Sequence, residues 1–376
     1  MIPFNKASIT QIENKYVLQA LSSNLCGDAS FTKMAYKLFF EKTGVSNMLL
    51  TTSCTHALEL SALLSELKKG DEVILPSFTF VSTVNAFVLR GVHPVFCDID
   101  SKTMNIDTTK IEDLINPNTK AIAIVHYAGV CCDMDAIKHI ARKQNLIIIE
   151  DAAQAVGSTY KGRPAGTLSN YGCYSFHESK NYVMGEGGAL VINNNNEKFK
   201  QAEIAREKGT DRSSFLRGEV NKYTWQSTGS SYLPSDVLAA ILCGQLERFD
   251  EIMEKRMKIW KLYYDGVEIL EKKGKLWRQF IPGYASHNAH MFYLIANNNK
   301  ERDYLINKLK EKGIQSTFHY IPLHSSPMGL KLGYKKEDLP VTEEYAGRLI
   351  RLPLWTEMSI FDVEFIIENL IKIYYL

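Results

Sequence analysis

A lysine directly after an apolar run is the first residue whose type and position suggest chemistry. The stretch Tyr171 to Asn181 reads as a strand that opens into Ser175-Phe176-His177-Glu178-Ser179-Lys180-Asn181. An amine held at a strand end and partly desolvated in a cleft has its pKa lowered and can meet a carbonyl as a neutral nucleophile. Alone, such a lysine is more often a solvated surface group, so the catalytic reading needs partners.

Three candidate partners close other apolar runs. Glu150-Asp151-Ala152-Ala153-Gln154 follows Leu146 to Ile149. Two acids there are costly to bury without a positive partner, and a carboxylate at that edge suits the protonated ring nitrogen of a cofactor. A helix N-cap aspartate is the plainer alternative. Thr52-Ser53-Cys54-Thr55-His56-Ala57-Leu58 places hydroxyls where a helix starts, and free amides there can cradle a phosphate. Simple capping by Ser53 or Thr55 is the alternative. Pro76-Ser77-Phe78-Thr79-Phe80-Val81-Ser82-Thr83 sets an aromatic ring after a third run, to face a flat ligand or to fill the core. All four segments fall at C-terminal ends of expected strands, where open α/β sheets bind ligands. Together they provide for a phosphate, a ring nitrogen, a ring face and an aldehyde, the parts of pyridoxal 5′-phosphate.

The elements that must position these residues alternate from about residue 48 to 192. Short β-rich runs at Met48–Leu50, Glu72–Leu75, Val95–Cys97, Ala121–Val125 and Leu146–Ile149 are separated by helical patterns at 55–67, 81–90, 111–115 and 134–144. Strands spaced by single crossover helices predict an α/β domain with a largely parallel sheet. Two further runs, Tyr171–Phe176 and Ala189–Ile192, lack a long helix between them, which makes the sheet mixed. The Asn193-Asn194-Asn195-Asn196 cluster predicts a turn before a helix at 197–208. Helical spacing over 235–264 predicts one long helix or two abutting ones. A large domain over 1–245 and a small C-terminal α+β domain over 246–376 follow, with a run at 315–320 in the latter. A helix at 9–21 has no assigned packing site.

Composition narrows the function. The 376 residues suit about two domains. With 45% hydrophobic and 23% charged residues, the chain has the make-up of a globular protein rather than a disordered one. Forty-four basic against 42 acidic residues give +2, scattered along the chain, so no basic stripe announces nucleic acid. Seven cysteines without a C-x-x-C pair argue for reduced thiols in a cytoplasmic protein rather than a disulfide framework or metal site. No apolar run reaches membrane-spanning length. The nearest approach to a dinucleotide fingerprint, Gly185-Glu186-Gly187-Gly188, leads into a strand and not a helix. Walker A, H-E-x-x-H and G-x-S-x-G motifs are missing.

Six ordered motifs carry a resemblance. They are Pro76 to Thr83, His126-Tyr127 with Gly129, Glu150 to Gln154, Ser175 to Lys180, Gly185 to Gly188, and His319-Tyr320-Ile321-Pro322-Leu323-His324. From Ile2 to the last helix the chain resembles the sugar aminotransferases of the DegT/DnrJ/StrS kind, fold type I pyridoxal-phosphate enzymes. The resemblance implies that Lys180 binds the cofactor aldehyde and then moves a proton between substrate and cofactor carbons. Asp151 would meet the pyridine nitrogen, Gln154 the phenolic oxygen and Phe80 the ring face, with Thr55 and Ser175 on the phosphate. His319 and Tyr320 would wall the substrate cleft.

Two positions depart from the pattern. Cys54 stands where many members carry glycine. The loop Gly229-Ser230-Ser231-Tyr232 lacks the usual asparagine that reaches into a second subunit, leaving the Ser231 hydroxyl to replace it in a homodimer with shared sites. Leu25 to Asp28, Arg206 to Thr210 and Asn288 to Tyr293 are similar to one subgroup. That subgroup implies L-glutamate as donor and dTDP-4-dehydro-6-deoxy-D-glucose as acceptor, giving dTDP-4-amino-4,6-dideoxy-D-galactose for surface polysaccharide. The gluco 4-epimer, a 3-amino sugar, and a sugar-nucleotide-binding protein without catalysis are the alternatives. The family's dehydratase branch carries histidine at the position of Lys180.

Overall fold

Seven strands form the sheet on which the catalytic candidates sit. A computed structural model describes residues 1–193 and 195–375. The strands are β1 (Met48–Thr51), β2 (Glu72–Pro76), β3 (His93–Cys97), β4 (Thr119–Val125) and β5 (Ile147–Asp151), then, after the short pair β6 (Thr159–Tyr160) and β7 (Arg163–Pro164), β8 (Tyr171–Ser175) and β9 (Gly188–Ile192). Their order is β1-β9-β8-β5-β4-β2-β3, and only β9 runs against its neighbours. The mixed, mostly parallel sheet expected from the spacing is therefore present.

Side-chain alternation divides the sheet between two apolar layers. Leu50, Ile74, Ile122, Ile124, Ile148 and Val191 face one, while Leu49, Val73, Leu75, Ala123, Ile149 and Leu190 face the other. The helices α1 (Gln11–Leu21), α2 (Ser30–Thr43), α3 (Cys54–Leu64), α4 (Val81–Val88) and α5 (Met134–Gln144) lie between or before the strands. Cores on both faces of a sheet make a three-layer α/β arrangement.

Local signals explain where helices start and stop. Asp133 caps α5 by accepting from Ala136 N at 3.3 Å, and Asn145 ends it in the left-handed region. The helix expected at 111–115 is instead two 3₁₀ turns, Thr108–Lys110 and Glu112–Leu114. Pro117 holds the preceding residue out of helical conformation, which leaves too few residues for an α-helix. Helix α2 escapes the sequence because its cap is remote: buried Asp236 accepts from Phe31 N at 2.9 Å, Thr32 N at 2.8 Å and Thr32 Oγ1 at 2.7 Å. The expected asparagine turn falls partly outside the described residues, at Asn194, and Asn195 caps the helix Asn196–Arg206.

The pattern over 235–264 resolves into two helices, Asp236–Glu247 and Phe249–Gly266, broken at Arg248. Both α1 and α2 pack against the first. Beyond it, β10 (Leu276–Arg278), β12 (Phe292–Ala296) and β13 (Leu349–Leu352) form an antiparallel sheet, while β11 (Ala285–Ser286) joins β6. The run 315–320 does not form a strand; Thr317 alone bridges to Arg351, and Pro322 beyond it can donate nothing to a ladder. Helices Asn299–Glu311 and Ile360–Tyr375 cover this second core. Among the described residues no helix is long and apolar enough to cross a membrane.

The two cores meet in a seam that includes Phe78, Tyr127, Met291 and Tyr293. Asp98, just after β3, ties them by accepting from Thr342 N and Thr342 Oγ1, each at 2.7 Å, and from Lys110 Nζ at 3.1 Å. Burial alone would raise its pKa, but the Thr342 bonds outweigh it and the carboxyl lies below its ordinary value. A depressed carboxylate contributes stability above its unfolded pKa and loses it as pH falls through the folded one. Thermal melts should therefore show the wild type more stable than Asp98→Asn at pH 6, with the gap narrowing below about pH 4.

Candidate active site

The register of β5 sends its two acids to opposite faces. Asp151 follows Ile149 toward the α3 and α4 layer, and Glu150 follows Ile148 toward the other. Asp151 is buried, its Oδ2 accepting from Thr83 Oγ1 at 2.6 Å and its Oδ1 from Ala153 N at 3.1 Å. Desolvation raises its pKa against the pull of Thr83, Ala153 and the nearby Lys180. Glu150 accepts from Gly166 N and Leu168 N at 2.7 Å and Ser169 Oγ at 2.8 Å, and stands 2.8 Å from His126 Nε2. The sequence led us to expect a positive partner for both acids. For Glu150 the compensation comes instead from hydrogen-bond donors, with His126 held by Cys132 N on its other nitrogen at 3.1 Å.

Lys180 lies in the connection from β8 to β9, whose amides are tied back: Glu178 N to Gly185 O at 2.8 Å, Lys180 N to His177 O at 2.9 Å and Met184 N to Phe176 O at 2.7 Å. Its half-buried side chain lines the same cavity as Asp151. Desolvation lowers its pKa, opposed by the Asp151 carboxylate and assisted by Arg351. The amine is thus easier to deprotonate than an ordinary lysine.

Helix α3 begins at the same cavity because Ser53 caps it, its Oγ accepting from His56 N at 3.1 Å. The first-turn amides of Cys54 and Thr55 have no partner within the helix. Thr55 Oγ1 shares a hydrogen bond with Ser82 Oγ at 2.8 Å, and Ser175 ends β8 beside them. Cys54 is buried, its thiol held protonated chiefly by desolvation. Gly188 lets β9 pass this helix start, since a Cβ there would lie 2.4 Å from Cys54 N.

Gln154 Oε1 accepts from Ala128 N at 2.6 Å while its Nε2 donates to Tyr320 Oη at 2.9 Å, leaving one amide hydrogen available. His319 Nδ1 and Tyr127 Oη share a bond of 3.0 Å, and burial keeps His319 neutral. Phe80 stands at the mouth, more than half exposed, with its ring 6.4 Å from that of Tyr320.

These side chains line one cavity of about 680 Å³, a size that holds small organic ligands. It unites Lys180, Asp151, Gln154, Ser175, Thr55, Cys54, Phe80, His319 and Tyr320. Ser231 lies outside it, exposed, with its backbone bridged to Glu207. The sequence reading missed Phe4, His290 and Arg351, which share the wall. A lone arginine inside the apolar run Leu349-Ile350-Arg351-Leu352 was the available signal.

The donor set fits pyridoxal phosphate. A helix start with free amides and hydroxyls suits a dianion. A buried carboxylate with no lysine or arginine in its two hydrogen bonds suits a protonated ring nitrogen, and a desolvated amine suits an aldehyde.

Comparison with known proteins agrees. The spore coat polysaccharide biosynthesis protein SpsC of Bacillus subtilis is 33% identical over 98% of this chain and 95% of its own. The GDP-perosamine synthase of Escherichia coli O157:H7 is 30% identical over 99% and 98%. Among solved structures, a candidate sugar aminotransferase of Streptococcus pneumoniae, Spr1654 in its PMP form, superposes with a TM-score of 0.92 at 27% identity, covering 98% of each chain. The family description matches residues 7–371. The chain belongs to the DegT/DnrJ/EryC1/StrS aminotransferase family, enzymes of amino-sugar synthesis whose cofactor is pyridoxal 5′-phosphate.

Proposed function

We propose that this enzyme transfers the amino group of L-glutamate to the C4 ketone of dTDP-4-dehydro-6-deoxy-D-glucose, giving dTDP-4-amino-4,6-dideoxy-D-galactose. The observation that carries the reaction class is the meeting of Lys180 and Asp151 in one cavity with the start of α3. The nucleotide and sugar rest on the subgroup motifs at 25–28, 206–210 and 288–293.

Bound in this cavity, pyridoxal phosphate supplies an aldehyde that accepts an amine and a ring that stores the electron pair left when a carbon loses its proton. The chain's residues do the rest. Thr55, Ser175 and the amides of Cys54 and Thr55 hold the phosphate, and Ser231 of a second copy is the group that would add a hydroxyl. Asp151 keeps the ring nitrogen protonated, Gln154 offers its free amide hydrogen to the phenolic oxygen, and Phe80 limits the ring's exposed face. Lys180 Nζ would hold the cofactor through its aldehyde and, when free, would serve as the base that moves a proton to and from the donor's α-carbon. The same amine would act as acid and base in the sugar half-reaction, and its burial, which lowers its pKa, keeps it able to take up a proton.

A GDP-linked 4-keto sugar is the second reading, favoured by the 30% and 31% identity to two GDP-perosamine synthases. Purified enzyme should be given glutamate with each 4-keto sugar nucleotide in turn, and the products characterised by mass and NMR. An axial 4-amine on the dTDP sugar is expected. An equatorial amine, a 3-amine or turnover confined to the GDP sugar would overturn the specific assignment.

A further inference from the structure

Arg351 lines the cavity but takes no part in holding the cofactor. Its strand β13 pairs it with Tyr293 of β12, and its backbone exchanges hydrogen bonds with Thr317 at 2.7 and 3.2 Å. The side chain passes over the Phe4 ring, 4.7 Å from the centroid, and lines the wall with Lys180, His290, His319 and Tyr320. Phe4 is held in turn by its amide to Gln315 Oε1 at 3.0 Å, and Ile2 bridges to Ile314. Arg351 Nε is buried without a hydrogen-bond partner, and among the described residues no carboxylate lies within 4 Å of the guanidinium. Its polar neighbours do not neutralise it: the tyrosines are protonated, and burial keeps His290 and His319 uncharged.

A guanidinium taken from water without a counter-ion favours any anion that can enter its cavity. Three anions visit this site: the cofactor phosphate, the sugar-linked diphosphate and the donor's carboxylates. The phosphate has its own cradle at the start of α3. The diphosphate lies across the sugar ring from the carbon that reacts, whereas the α-carboxylate of an amino acid is bonded to the reacting carbon itself. Arg351 lines the same cavity wall as Lys180, near enough for its charge to help lower the pKa of that amine. We propose that Arg351 is the carboxylate anchor for the amino donor, with Phe4 as a positioning residue that holds the guanidinium in the cavity. The proposal rests on the aminotransferase reading and adds to it how an amino acid is chosen over other amines.

The test uses cofactor-loaded wild type, Arg351→Gln, Arg351→Lys and Phe4→Leu, with folding and cofactor affinity checked for each. Half-saturation by L-glutamate in the first half-reaction should rise about 100-fold in Arg351→Gln and about 10-fold in Arg351→Lys, which keeps the charge but loses the fork. Phe4→Leu should shift it in the same direction by less. Binding of 2-oxoglutarate, read by calorimetry without turnover, should weaken in parallel. The preference for glutamate over n-butylamine should collapse in Arg351→Gln, while half-saturation of the pyridoxamine form by the nucleotide sugar stays as in wild type.

Unchanged glutamate and 2-oxoglutarate affinity would overturn the proposal. So would weakening confined to the nucleotide sugar or to the cofactor, which would assign Arg351 to the diphosphate or the phosphate. If Arg351→Gln fails to fold, Arg351→Lys decides by the same comparison. Wild-type enzyme that takes up cofactor, binds 2-oxoglutarate in an Arg351-dependent manner and yet gives no half-reaction would overturn the aminotransferase reading and support the anchor.

Discussion

Lys180→Ala is expected to fold, to lose the visible absorbance that wild-type protein gains on taking up cofactor, and to lose turnover by about 10⁴-fold or more. The fold should survive because the connection from β8 to β9 is held through backbone amides, and the Lys180 side chain makes no ion pair within 4 Å among the described residues. Removing an amine whose burial already opposes its charge costs no salt bridge. Absorbance spectra and a coupled glutamate assay would check both halves, and retained turnover would sink the assignment of the nucleophile.

The largest stability effect should come from the acid next to the cavity rather than the one inside it. Glu150→Ala strands three buried donors, on Gly166, Leu168 and His126, while the half-buried Ser169 Oγ keeps Tyr171 O as an acceptor at 3.1 Å. At roughly 1–3 kcal/mol for each stranded donor, partly relieved by relaxation, the loss should be about 4 kcal/mol or more. Glu150→Gln retains one carbonyl oxygen and should cost about half as much. Urea denaturation would measure both. Activity per folded molecule should stay near wild type, because Glu150 faces away from the cavity; a specific loss of turnover in well-folded Glu150→Gln would contradict that.

These two acids show what one dimension of sequence conveys. Their position after an apolar run was legible, as was the chemistry offered by a buried carboxylate beside a lysine, although that lysine stands in the connection beyond β8 and not at the strand end expected of it. Their division of labour was not, because it depends on the one-residue alternation of β5 and on donors from residues 166–169 that periodicity cannot place. Strands and crossover helices were legible for a related reason: their signals are local, as with Asp133 and Asn145 at the ends of α5. Helix α2 was not, since the carboxylate of Asp236 that caps it comes from the far side of the sheet in sequence. The same limit hid Arg351, whose significance appears only when Phe4 and Lys180 are brought to it by folding.

The lone reversed strand, β9, has a consequence for how the protein acquires its cofactor. Because β9 returns immediately beside β8, the segment carrying the amine is a short tether with both ends fastened in one ladder. Its conformational entropy has already been spent during folding, so little of the ligand's affinity is consumed in ordering it. Apoprotein made without the vitamin should therefore be a competent acceptor from the outset, and reconstitution should follow simple bimolecular kinetics with no slow lag.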